Sequence, residues 1–73
     1  MGRLGGFRYR DVVRRLKRLG FEYERPGAGS HEVWINPVAD RRVILPCHAK
    51  ALAEGTLRSI LRQAGISVED FLA

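Results

Sequence analysis

His31 closes the triplet Gly29-Ser30-His31, a position well placed for acid–base chemistry. An imidazole titrates near neutrality, so it can take and return a proton under ordinary conditions. Ahead of it, Pro26-Gly27-Ala28-Gly29 cannot continue a regular element, because proline lacks a donor and the glycines relax the backbone. After it, Ser30-His31-Glu32-Val33-Trp34-Ile35 is rich in β-branched and aromatic residues and reads as a strand. The ring is thus expected at a loop–strand junction, fixed on one side and reachable on the other. A lone histidine more often simply ends a strand, so the rest of the chain decides whether His31 does more.

The elements that must hold it follow in order. The first eight residues have two adjacent glycines and no usable period, and are expected to form a leader of low order. Tyr9, Val12, Val13, Leu16 and Leu19 recur at spacings of three and four, which predicts a helix from about Tyr9 to Leu19. Gly20 suits the left-handed position after it, and Phe21 would then touch Leu16. Three strands come next, Phe21 to Arg25, Ser30 to Ile35 or Asn36, and Arg42 to Pro46, and their short connections make both pairings antiparallel hairpins.

Parity sets the expected register, since a slip of one residue would turn every side chain over. Keeping Val33 and Ile35 beside Val43 and Leu45 pairs Val33 with Leu45 and His31 with Cys47. Tyr23 then lies opposite His31. The buried face would run Phe21, Tyr23, Val33, Ile35, Val43 and Leu45, with His31, Cys47 and His48 gathered at its margin. The other face would carry Glu22, Glu24 and Glu32, with Trp34 across from Ile44. Acidic residues repel phosphate, whereas an exposed Trp–Ile pair suits a protein contact.

The last third is helical. Thr56 is expected to cap a second helix, Leu57 to Ala64, with Leu57, Ile60, Leu61 and Ala64 inward and Arg58 and Arg62 outward. Gly65 ends it, and Ser67 with Asp70 resembles a capping box for a short helix from Val68 to Leu72. The order α-β-β-β-α predicts one α+β domain over residues 1–73, a three-stranded antiparallel sheet with helices on one face.

Composition narrows the partner. The chain has 73 residues, thirteen Lys and Arg against eight Asp and Glu, and a net charge of +5. A pI near 10.4 points toward a polyanion. A domain this small buries only ~60% of its unfolded surface, and a single cysteine gives it no internal disulfide. That fits a reducing, cytoplasmic setting. No apolar run is long enough to span a bilayer, and no secretory leader is expected, since no charged-then-apolar stretch of that kind is present. His31, Cys47 and His48 supply three conceivable zinc ligands. Adjacent Cys47 and His48 point to opposite sides of an extended backbone, however, so a shared site would be strained, and no metal is expected.

Leu16-Lys17-Arg18-Leu19-Gly20-Phe21, Gly29-Ser30-His31, Leu45-Pro46-Cys47-His48 and Gly55-Thr56-Leu57-Arg58-Ser59-Ile60-Leu61-Arg62-Gln63-Ala64-Gly65-Ile66-Ser67 together resemble the HicA family. The match in order and spacing runs from about Asp11 onward, and the Gly-Thr-Leu-Arg-Ser-Ile-Leu block is its most specific part. The resemblance implies the toxin half of a toxin–antitoxin pair, with a fold similar to the double-stranded-RNA-binding domain. It further implies ribosome-independent cleavage of mRNA, silencing by a HicB antitoxin, and His31 as the catalytic histidine. Many relatives have a basic residue just before the triplet and a second histidine just after it, where this chain has Ala28 and Glu32.

Such chemistry needs no metal or cofactor, because RNA brings its own nucleophile, a 2′-hydroxyl beside the scissile phosphate. A histidine can take that proton or protonate the leaving 5′-oxygen, worth ~10²–10⁴-fold in rate, and cations stabilise the phosphorane-like transition state. Arg25, Lys50, Arg58 and Arg62, with Gly29, Ser30 and the helix start at Thr56, are the expected RNA contacts. His48 is a possible second acid or base, and Trp34 with Ile44 is the expected antitoxin or self-association surface. The rival expectation is a module that binds RNA without cutting it.

Overall fold

The structure, a computed structural model, describes residues 3–48 and 50–73. Helix α1 is Tyr9–Arg18 and buries Val12 and Leu16, the centre of the predicted stripe. It starts without a hydroxyl cap. The Asp11 carboxylate instead accepts from the Arg8 backbone N–H at 3.0 Å, half of a capping box. It ends as the glycine requires: Gly20 has φ of 99°, and Phe21 N–H reaches back to the Leu16 carbonyl at 2.9 Å.

Strands β1 (Glu22–Pro26), β2 (His31–Asn36) and β3 (Arg41–Pro46) form an antiparallel sheet in the order β1-β2-β3. Helices α2 (Glu54–Ala64) and α3 (Val68–Leu72) complete the α-β-β-β-α arrangement. Residues of all three helices share one core with Phe21, Trp34, Val43 and Leu45. The helices therefore cover one face of the sheet. Gly65 (φ 71°) and the Ser67 hydroxyl, which accepts from Asp70 N–H at 3.0 Å, end α2 and begin α3 as the sequence predicts.

Three expectations are corrected. The first is the register. Val33 pairs with Ile44, Trp34 with Val43, Glu32 with Leu45 and His31 with Pro46. Tyr23 lies opposite Trp34, not His31, and a bulge at Glu24 separates it from Arg25, which faces Val33. Strand β2 has apolar residues on both faces, so parity alone has two solutions, and the larger side chain takes the core. Trp34 is only 3% exposed, and its face is the helix-covered one. Val33 is buried without joining that core cluster, on the opposite face with His31, Ile35 and Ile44.

The second correction concerns the leader. Leu4 is fully buried, and Phe7 packs edge-on against Phe71 with ring centroids 5.2 Å apart. The Arg15 guanidinium lies over both rings and donates to the Phe71 carbonyl at 3.0 Å. Of the predicted leader, Arg3 and Phe7 thus tie to α3, and residues 1 and 2 lie outside the described residues. The third is the start of α2. Ala53 is its N-cap and Thr56 lies inside the first turn, because Glu54 and Gly55 join the helix ahead of it.

Candidate functional site

The turn before β2 is built around His31. Gly27 N–H donates to the His31 carbonyl at 2.8 Å, and His31 N–H donates to the Ala28 carbonyl at 3.1 Å. The ring turns back on the same loop, with Nδ1 3.0 Å from the Ala28 carbonyl. A carbonyl oxygen only accepts, so Nδ1 carries the proton and the lone pair of the neutral ring lies on Nε2. The side chain is exposed. That tautomer presents a base to solvent from an anchored ring. Gly27 allows a close approach: a Cβ there would sit 3.3 Å from both Cβ and the carbonyl oxygen of His31, a tight contact. Gly29 has φ of 60°, the left-handed conformation that lets the chain turn into Ser30.

His31 stands on the helix-free face of the sheet. Its register places Arg25, Val33, Ile35, Arg42 and Ile44 on the same face. Arg25 and Arg42 flank the Glu24 carboxylate, with Nε–oxygen distances of 3.8 and 3.5 Å. Both arginines are well exposed, so these pairs are weak and either cation can turn to an incoming anion. The face expected to be acidic is therefore mixed, because Glu32 has left it.

Glu32 turns inward and joins α1 to the sheet. Its Oε1 accepts from the Tyr9 hydroxyl at 2.5 Å and from Trp34 Nε1–H at 3.0 Å. Burial first, and then the Glu32 hydrogen bond and charge, raise the Tyr9 pKa well above its ordinary value. This triad was not foreseen from the sequence. The only available signal was an acid at alternate spacing with a tryptophan, which the chosen register placed in solvent.

The other expected residues are not joined to His31. Lys50, Thr56, Arg58 and Arg62 are exposed, and no hydrogen bond or ion pair among the described residues links them to His31. Arg58 is 3.7 Å from Glu54 on its own helix. Cys47 N–H donates to the Ser30 carbonyl at 2.7 Å, which extends the β2–β3 ladder under the turn. His48 does not join His31. It lines a surface pocket of about 370 Å³ with Arg8, Tyr9 and Arg10. Ile44 is 42% exposed and keeps its predicted place on the open face, whereas Trp34 is removed from any surface role by burial.

Comparison with known families gives this arrangement its class: a toxin of bacterial toxin–antitoxin systems. Residues 9–66 match the family model described as HicA toxin of bacterial toxin–antitoxin, and the chain belongs to the HicA toxin family. The matched span runs from the first residue of α1 to just past the glycine that ends α2, so it includes the whole sheet and the His31 turn. No curated protein matches the chain.

Proposed function

We propose that the protein is a metal-independent endoribonuclease that cleaves mRNA and is neutralised by a HicB-type antitoxin. The observation that carries this reading is the anchored His31 ring, with its Nδ1 proton committed to Ala28 and its Nε2 lone pair facing outward. In the reaction, Nε2 takes the proton of a ribose 2′-hydroxyl. The freed oxygen attacks the adjacent phosphorus, the bond to the 5′-oxygen breaks, and that oxygen leaves with a proton drawn from water or a second acid. The products are a 2′,3′-cyclic phosphate and a 5′-hydroxyl.

Arg25, one residue pair along the same face, is the nearest cation by register to receive charge developing on the phosphate. Gly29 and Ser30 hold the turn that the scissile linkage approaches. Lys50, Arg58, Arg62 and the first turn of α2 at Thr56 would meet more distant phosphates. Ile44, with Val33 and Ile35 beside it, offers the antitoxin an apolar contact on the face that carries His31.

The test is cleavage of single-stranded RNA against an all-deoxy strand of the same sequence, with and without EDTA. RNA alone should be cut, EDTA should not matter, and folded His31→Ala should lose at least ~10²-fold in rate while still binding RNA. Equal cleavage of the deoxy strand would overturn the 2′-hydroxyl mechanism. Undiminished cleavage by His31→Ala would overturn the site. RNA binding without cleavage by the wild type would leave a binding module.

A further inference from the structure

The pocket at the start of α1 lies outside the His31 face, and its chemistry is one-sided. It is lined by Arg8, Tyr9, Arg10 and His48, two permanent cations and a histidine around a phenol ring. No carboxylate lines it among the described residues. Asp11 accepts from the Arg8 backbone N–H, and Glu32 holds the Tyr9 hydroxyl and the Trp34 indole N–H. The Tyr9 ring is thereby fixed, with its oxygen turned to the sheet. A volume of about 370 Å³ is ample for a phosphate and its sugar.

We propose that this pocket is a second phosphate subsite, taking a backbone phosphate of the RNA strand beyond the one presented to His31. The inference rests on the proposed RNA substrate. Connectivity supports it. His31 pairs with Pro46, and His48 follows two residues later, at most ~7 Å further along the chain. That is about the spacing of neighbouring phosphates in an extended strand. A single strand rounding the end of the sheet at residues 26–31 would thus meet the imidazole of His31 and then the cations of the pocket. In this arrangement His48 binds and positions substrate, and it takes no part in proton transfer.

The test compares wild type with Arg10→Ala, His48→Gln and the double variant, on an RNA of about three nucleotides and one of about twelve. Arg10 and His48 are exposed, so the fold should survive, as circular dichroism can verify. On the long RNA the double variant should raise KM about tenfold with kcat nearly unchanged, and reduce the salt dependence of binding by about 0.7 in slope per lost phosphate contact. The short RNA, which ends before the pocket, should be cut equally well by all four proteins. Unchanged KM and slope on the long RNA would overturn the subsite and leave the His31 chemistry standing. A fall in kcat on both RNAs would also overturn it, making His48 a proton-transfer group.

If wild type cuts neither RNA, the proposed activity fails and binding of the long RNA decides separately. Weaker, less salt-dependent binding by Arg10→Ala would then support the subsite, and binding equal to wild type, or none by either, would overturn it.

Discussion

Replacing Glu32 by Ala isolates the network that joins α1 to the sheet. The carboxylate accepts two hydrogen bonds on one oxygen, from Tyr9 at 2.5 Å and from Trp34 at 3.0 Å. Hydrogen bonds to a charged group contribute ~1.5–3 kcal/mol each at most. The indole N–H belongs to a buried ring and would be left without a partner, costing ~1–3 kcal/mol. The phenol is half-buried and can recover a water, so its loss falls near ~1 kcal/mol. Freeing the protein from a partly desolvated carboxylate offsets about 1 kcal/mol of this. The net loss is ~1–3 kcal/mol, against a total stability of ~4–10 kcal/mol for a domain of this length.

A domain this small shifts by roughly 4–8 °C per kcal/mol, so Tm should fall by ~4–24 °C. Thermal and urea unfolding followed by circular dichroism and by the fluorescence of Trp34, the only tryptophan, would measure it. Glu32→Gln keeps an acceptor and should lose about half as much. The surviving folded fraction should cleave RNA normally, because Glu32 and His31 point to opposite faces of β2. A Glu32→Ala protein within ~0.5 kcal/mol of wild type would refute the accounting.

Trp34→Ala should cost ~3–5 kcal/mol in a urea melt, as expected for a core aromatic, while Ile44→Ser should leave stability within ~1 kcal/mol and weaken antitoxin binding in a titration. Gly27→Ala should slow RNA cleavage about tenfold with little change in Tm, since the new Cβ presses on the backbone and Cβ that carry the His31 ring. Tyr9 is held protonated in the folded chain by burial and by Glu32, above its ordinary pKa of 10.0. The unfolded chain therefore loses that proton first. Stability that is fully present below about pH 10 should decline as pH rises toward the folded value. Urea midpoints across the alkaline range would show this decline, and Tyr9→Phe should flatten it.

What the chain announces about itself is mostly what lies close together in sequence. The stops at Gly20 and Gly65 and the Ser67 cap are settled by hydrogen bonds within six residues, and all three appear where the residues imply. The inward alternation of Val43 and Leu45 in β3 is equally local, and it holds. Register is not local. Val33-Trp34-Ile35 offers either face of β2 to the core, and the bulge at Glu24 absorbs the residue by which the first strand would otherwise be out of step. The indole decides it, because Trp34 can be buried only if its N–H finds an acceptor, and Glu32 two residues away supplies one on the same face.

The position of His31 at a mobile-looking but tightly hydrogen-bonded turn was legible from Pro26-Gly27-Ala28-Gly29. The place of His48 beside Arg8, Tyr9 and Arg10 was not, because it lies past the end of β3, where strand alternation no longer sets a side chain's direction. Leu4 and Phe7 lack a helical period, so nothing nearby predicts their burial. Their partners are more than sixty residues away in the case of Phe71.

That long-range closure has a consequence for the making of the protein. The Arg15 guanidinium lies over the rings of both Phe7 and Phe71, which pack against each other. Chains emerge from the ribosome N-terminus first, and contacts of large sequence separation form only when both partners are out. The flank of the first helix is therefore sealed only once Phe71 has emerged. A chain that has not yet reached Phe71 carries an unsealed α1 flank, which closes when α3 emerges.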